Sequence, residues 1–321
     1  MSRIVIIGGS GHVGGYLVPR LVQAGHEVLN VTRGQHRPYR THAAWDAVQN
    51  VVIDRDAQEK DDDFGQKIAA LKPDIVIDMI CFTLDSAKQL VNALDGKITH
   101  LIHIGTIWVH GHSLTVPTRE CDRRAPFGDY GTQKSDIEDY LLAHAHRTGF
   151  PATVVRPGHI VGPGWNPLNP LGNFNHEAFN VIARAEQLQL PNFGLETVHH
   201  VHADDVAQMI MRAIEYQGAS VGEAFNAVSP GAVTLRGYAE AMYEWFGHTP
   251  NLSFVPFDKW ADGHDAKDAE TTLEHIERSP CHSFEKGRKL IGYEPCYYSL
   301  EAVQESVSWL IEQGKVAAAK R

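Results

Sequence analysis

Unbroken apolar runs alternate with helical stretches along the first half of the chain. Ile4-Val5-Ile6-Ile7 has no polar position to turn toward water, so it predicts a strand buried on both faces. A glycine-rich turn follows, then a helix from about His12 to Ala24 that Gly25 caps. Glu27 to Val31 predicts a second strand, Val51 to Ile53 a third and Asp74 to Asp78 a fourth. His100 to Ile104 and Ala152 to Arg156 predict a fifth and a sixth. Strands separated by helices imply right-handed crossovers, hence an α/β fold with a doubly wound parallel sheet. Such sheets bind ligands at the C-terminal ends of their strands.

After Pro157 the pattern changes. Residues 157 to 175 are rich in Gly, Pro and Asn, which reads as a long functional loop rather than a linker. Beyond it, short strands and helices alternate irregularly, as a smaller C-terminal lobe would. The final helix, about Leu300 to Gln313, sets Val303, Val307 and Leu310 on one stripe, and the tail Lys315 to Arg321 is expected to fray.

Composition narrows the classes. The chain has 321 residues, 43% hydrophobic and 21% charged, enough for a large core. A net charge of -10 argues against a nucleic-acid partner held through phosphates. Cys81, Cys121, Cys281 and Cys296 are scattered, which speaks against a metal site or disulfide framework and suits a reducing compartment. The N-terminus reads as a strand rather than a secretory signal, and no apolar stretch approaches the roughly 20 residues needed to span a bilayer. The expectation is a soluble, cytoplasmic protein.

Gly8-Gly9-Ser10-Gly11-His12-Val13-Gly14 joins the first strand directly to the first helix. In this G-x-x-G-x-x-G pattern Gly8 permits the tight turn and Gly11 lets a pyrophosphate approach the backbone. Gly14 lets the helix pack on the sheet. The helix N-terminus supplies N–H groups and partial positive charge for the phosphates. Gly8, Ser10, Gly11, His12, Val13 and Gly14 are therefore the candidate dinucleotide contacts. Residues 1–165 form the expected dinucleotide domain, with elements around 200–230 returning to it, and 166–321 the substrate lobe. The second strand ends in Val31-Thr32-Arg33-Gly34, without the carboxylate that NAD sites place there. Arg33 suits the 2′-phosphate of NADP, so NADP is favoured and NAD stays open. Asp54 and Arg55, just past the third strand, are candidates for the adenine end, ahead of Asp56.

Tyr130 and Lys134 form Y-x-x-x-K, neighbours on one face if the segment is helical. An ammonium near a phenol favours the phenolate, which would make Tyr130 an acid/base near neutral pH. Lys134 is also placed to hold the nicotinamide ribose. Thr106, at the end of the fifth strand, is expected to hydrogen-bond the substrate oxygen beside Tyr130.

Four motifs occur in order: GGSGHVG, TIWVHG, PFGDYGTQK and RPGHIVGP. Further on come His202-Ala203-Asp204-Asp205-Val206-Ala207 and SFEKGRKLIGYEP. Together they resemble the extended short-chain dehydrogenases/reductases of the NAD-dependent epimerase/dehydratase family, over nearly the whole chain. The resemblance implies a Rossmann-type fold with a smaller C-terminal substrate lobe and hydride transfer with a nicotinamide. It makes Thr106, Tyr130 and Lys134 the catalytic set. It adds Pro157 to the cofactor contacts, makes Trp108, His110, His159 and Asn173 candidate substrate contacts, and implies a homodimer through the helices after the fourth and fifth strands.

The chain also departs from the family pattern. His110 stands at a tyrosine position, and Val198-His199-His200 replaces a stretch that often carries arginine. Arg184, Arg212 and Arg236 have no evident diphosphate role, so a carbohydrate-like small molecule competes with a nucleotide sugar as substrate. The run His199, His200, His202 invites a metal reading, against which stands a packing role at the lobe interface. Thr106-Ile107-Trp108 offers no carboxylate for dehydration, which leaves an oxidoreductase or epimerase. The competing class is a non-catalytic NADP-sensing or RNA-binding protein on the same fold.

Overall fold

The computed structural model describes residues 1–35, 37, 38 and 40–317. Its centre is a seven-stranded sheet, parallel throughout. In chain order the first six strands are β1 (Arg3–Ile7), β2 (Glu27–Thr32), β3 (Gln49–Val52), β4 (Ile75–Asp78), β5 (His100–Ile104) and β6 (Ala152–Pro157). The order across the sheet is Ala224–Ala227, β6, β5, β4, β1, β2, β3. The chain therefore reverses its winding between β1 and β4, which opens a crevice at their C-terminal ends.

β1 explains why the sheet is central. Ile4 and Ile6 face one helical layer with Leu17, Val18, Val206 and Ile210. Val5 and Ile7 face the other, with Phe64, Ile68, Val76 and Leu90. All four β1 side chains are buried, each worth roughly 1.5–3 kcal/mol of apolar transfer. The doubly wound fold expected from the sequence is thus observed. The third strand begins two residues earlier and ends one earlier than expected, because it is an edge. Val52 is 70% exposed, and the alternation that marks a half-buried strand is missing.

Helix α1 (Gly14–Gln23) follows β1. α2 (Arg55–Lys60) and α3 (Phe64–Ala70) lie between β3 and β4, α4 (Leu84–Leu94) follows β4, and α5 (Asp129–Thr148) leads into β6. A second core gathers Phe179, Leu190, Tyr238, Met242 and Trp260 with Val303, Val307 and Leu310 of the final helix, Ser299–Glu312. No helix among the described residues is long and apolar enough to cross a membrane. The fraying expected over Lys315 to Arg321 falls, from residue 318 onward, outside the described residues.

Buried histidines are a marked feature of this fold. Burial pushes His100 and His199 down to about 4, His200 down to about 3, and His103 well below its ordinary value. Above pH 6.5 these rings are neutral in both the folded and unfolded chain, so they leave stability unchanged. Below it the unfolded chain takes up protons that the folded chain refuses, and stability falls by ~1.4 kcal/mol per pH unit for each ring until its folded pKa is reached. We therefore expect the thermal midpoint, followed by circular dichroism, to drop steeply between pH 6.5 and 4. A flat profile across that window would contradict the neutral-ring assignment.

Candidate active site

The glycine-rich turn opens into the crevice. Gly8 has φ +86°, and a Cβ there would lie 2.8 Å from Ile80 Cγ2. At Gly14 a Cβ would lie 1.8 Å from the Gly9 carbonyl oxygen, so only glycine lets α1 begin where it does. A Cβ on Gly11 would meet only Gly8 O, at an ordinary 3.5 Å. The space in front of the turn is therefore the cavity itself, which Gly8, Gly11, His12 and Val13 line. The turn and the start of α1 fit a pyrophosphate.

That cavity, ≈ 720 Å³, runs past Ile80 and Ile104 to Thr106, Trp108, Tyr130, Pro157 and His159. Thr106 lies two residues past β5 and accepts a hydrogen bond from Trp108 N at 3.2 Å. Tyr130, in the first turn of α5, is hydrogen-bonded to the Thr106 hydroxyl. Lys134 lies one turn further on and is 2% exposed. Its Nζ donates to Cys81 O at 2.8 Å and Ile104 O at 2.7 Å, and burial lowers its pKa to about 8. An ammonium has three donors, so one remains.

The ammonium thus turns to backbone carbonyls at the ends of β4 and β5, with Nζ 5.9 Å from the Tyr130 ring centre. Tyr130 is 45% exposed; partial desolvation against the cavity wall raises its pKa, with the Thr106 hydrogen bond acting in the opposite sense. In this state Tyr130 keeps its proton at neutral pH, where the sequence suggested a phenolate.

A smaller cavity of ≈ 200 Å³ lies between β2, β3 and Ile80, which lines both spaces, where the sequence leads one to expect the adenine end. Arg33, Arg55 and Asp56 line it. Two expectations change here. Asp54 is spent capping α2, accepting from Ala57 N at 3.2 Å, and Asp56 takes its place on the cavity wall. Arg55 is buried and bound to Asp78 at 2.8 Å and Glu59 at 2.5 Å, so most of its donors serve the fold, with Nη2 unpartnered. Ser10 is also redirected. Its hydroxyl accepts from Asn30 Nδ2 at 2.9 Å, tying the turn to β2, and the residue is absent from the cavity wall.

Two substrate candidates lie behind the cavity instead of on it. Asn173 is 1% exposed and its amide donates to Thr272 Oγ1 at 3.0 Å, while its Oδ1 accepts from Asn169 at 2.6 Å. These asparagines build the loop. His110 is buried against Arg156, whose Nη1 donates to its Nε2 at 3.0 Å. Arg156 in turn binds Glu138 through Nε at 2.8 Å and through Nη2, and Arg124 reaches the same carboxylate at 2.8 Å. This buried network clamps α5 to β6 one turn beyond Lys134.

The three histidines of the former metal reading diverge to separate partners. His199 Nε2 meets Ser229 O, and His200 Nε2 meets Leu168 O. His202 caps the helix Ala203–Glu215 through Asp204 N and reaches Glu305 at 3.2 Å. Asp78, Cys81 and His103 do lie within 4.8 Å of one another, but Asp78 is the counter-ion of Arg55.

Sequence reasoning missed the helix Ala266–Arg278, which supplies Thr271, Glu274 and His275 to the cavity wall. The signal was a stripe: Thr271, Glu274, His275 and Arg278 stand at i, i+3, i+4 and i+7. Arg278 stacks 3.7 Å from the Trp108 ring centre and 3.8 Å from that of Phe127. Trp108 also meets His275 and Tyr130, with centroids 5.1 and 5.8 Å apart. Trp165 and Phe174 complete the aromatic wall, and Trp165 stacks on His12 at 5.6 Å.

Residues 4–227 match the profile of the NAD dependent epimerase/dehydratase family. Over 321 aligned residues the chain is 26% identical to the 2'-dehydrokanamycin reductase of Streptomyces kanamyceticus, covering 99% of this chain and 87% of that protein. It is 23% identical to the dTDP-6-deoxy-L-talose 4-dehydrogenase (NAD(P)(+)) of Kitasatospora kifunensis, covering 95% and 94%. Among solved structures it resembles the UDP-glucose 4-epimerase of Thermotoga maritima, with TM-score 0.73 and 19% identity over 97% and 99% of the two chains. The chain belongs to the NAD dependent epimerase/dehydratase family and is an NAD(P)-dependent oxidoreductase or epimerase of the extended short-chain type.

The clamp on α5 is testable. Glu138→Ala would strand Arg156 as a buried unpaired charge and cost about 3–5 kcal/mol in urea unfolding. Glu138→Leu combined with Arg156→Met should recover most of that loss. A single-variant cost near zero would show that the network does not anchor α5.

Proposed function

We propose that the protein transfers hydride between NADP(H) and a hydroxyl or ketone carbon of a carbohydrate-like small molecule, working as a reductase with exchanging cofactor. The observation that carries this is the meeting of Thr106 and Tyr130 on the cavity that the glycine turn opens, with Lys134 buried one turn behind Tyr130 on α5. The nicotinamide, when bound, supplies or accepts the hydride. Thr106 and Tyr130 bind the substrate oxygen, and Tyr130, holding its proton, donates it to the oxygen of a ketone as that oxygen gains charge. Lys134 keeps its free donor for the ribose and holds β4, β5 and α5 in register. Trp108 walls the reacting carbon from water.

The 2′-phosphate preference rests on Arg33, an exposed guanidinium on the adenine cavity with no ion pair among the described residues. Dehydration is disfavoured because Thr106-Ile107-Trp108 offers no carboxylate. The similar Streptomyces kanamyceticus reductase acts, by its name, on an oxidised sugar. Non-catalytic RNA binding is disfavoured by the net charge of -10. We also propose a homodimer through α4 and α5, which light scattering on the purified protein would settle.

NADPH oxidation at 340 nm, with 2'-dehydrokanamycin and a dTDP-4-keto sugar as alternative ketones, tests the reaction. Tyr130→Phe should lower kcat by roughly 10²–10⁴-fold with NADPH binding retained. Loss of less than tenfold would remove Tyr130 as the acid. Arg33→Ala should raise KM for NADPH by about 10–100-fold, the worth of a charge-assisted hydrogen bond, and leave KM for NADH alone. A wild-type preference for NADH would overturn the NADP assignment.

A further inference from the structure

The substrate half of the cavity carries a charge pattern unsuited to a diphosphate. Among its lining residues there is no lysine or arginine, and Glu274 is the charged group. A nucleoside diphosphate carries two negative charges and needs cations or ordered N–H groups to hold them. Arg278, one turn beyond Glu274, is 1% exposed. It lies between Trp108 and Phe127, where Nη1 donates to Glu274 O at 2.6 Å and Nη2 to Phe127 O at 2.8 Å, while Nε is buried without a partner. It does not line the cavity.

Two imidazoles stand on the same wall. His275 Nδ1 lies 2.6 Å from Thr271 O. A carbonyl oxygen only accepts, so Nδ1 carries the proton. Burial lowers His275 to about 4, the ring is neutral, and Nε2 is left as a lone-pair acceptor. His159 Nε2, on the same wall, is buried without a hydrogen-bond partner. The Glu274 carboxylate, on an exposed residue, forms no ion pair among the described residues. Around these acceptors stand the rings of Trp108 and Phe174, which favour both sugar C–H groups and a cation.

We infer that the substrate is an amino sugar free of any nucleotide, its ammonium held by Glu274 against the aromatic wall and its hydroxyls donating to His159 and His275. This rests on the hydride-transfer reading of the cavity and names the substrate class for it. Glu274 is a specificity-determining residue in this scheme, set apart from the reacting atoms at Thr106 and Tyr130.

The test is equilibrium binding at pH 7 in the presence of saturating NADP⁺, followed by the intrinsic fluorescence of the six tryptophans, of which Trp108 and Trp165 line the cavity. Glucosamine, glucose and UDP-glucose serve as probes. Glucosamine should bind at least tenfold more tightly than glucose, and UDP-glucose most weakly. Glu274→Gln should bring the glucosamine-to-glucose ratio close to one. Glu274→Lys should invert the order in favour of UDP-glucose, a gain that a misfolded variant cannot give. Parity between glucosamine and glucose in the wild type, no response to glucosamine, or UDP-glucose as the tightest ligand would each overturn the inference. So would a ratio unmoved in Glu274→Gln. Because the readout is binding, it separates from catalysis. Selective glucosamine binding without hydride transfer sinks only the reductase reading, and ketone reduction with probe parity sinks only this one.

Discussion

Lys134 sets a full positive charge inside the C-terminal edge of a sheet whose neighbouring side chains are mostly apolar. Such a charge is tolerated only where the protein replaces its water. Here the replacements are the carbonyl oxygens of Ile104, the last residue of β5, and Cys81, three residues past β4. Each charge-assisted bond of this kind is worth about 1.5–3 kcal/mol net. The cost of burying the ammonium therefore fixes the mutual position of β4, β5 and α5. Tyr130 rides on α5 one turn earlier, and Thr106 sits two residues after β5. The placement of the proposed Thr106–Tyr130 pair thus follows from solvating one lysine.

A second charge cluster secures the same helix one turn further along. Glu138, fully buried, receives Arg156 from β6 and Arg124 from the preceding loop, and His110 accepts from Arg156. His110 stands where the family places a tyrosine, and here it serves the frame rather than the ligand. The substitution is intelligible as packing: a neutral imidazole, held down to about 4 by burial and by the adjacent guanidinium, accepts a hydrogen bond that a protonated ring could not.

Arg278 shows a third use of a cation. Stacked between Trp108 and Phe127, it stiffens the wall that faces Tyr130 and ties the second lobe to the loop before α5. Histidines fill the same interface: His159 lies 4.7 Å from His275 and 6.2 Å from His200, ring centre to ring centre. The active-site wall is built of aromatic and imidazole rings where a diphosphate site would need exposed cations.

Local pattern alone determined the sheet strands that precede the loop, the phosphate turn and the Tyr130–Lys134 pair. Each is encoded within a few consecutive residues, by an apolar run, by glycines or by helical spacing. That information needs no partner from elsewhere in the chain. Tertiary structure alone decided whether a polar side chain meets the cavity or the frame. Asn173 and Asn169 satisfy one another, Asp54 caps its own helix, and Arg55 answers Asp78 across 23 residues. Glu274 and His275 reach the cavity from a helix more than 140 residues beyond Tyr130. A hydrogen bond or ion pair is specified by both of its ends, and sequence spacing reveals both ends only when they are neighbours.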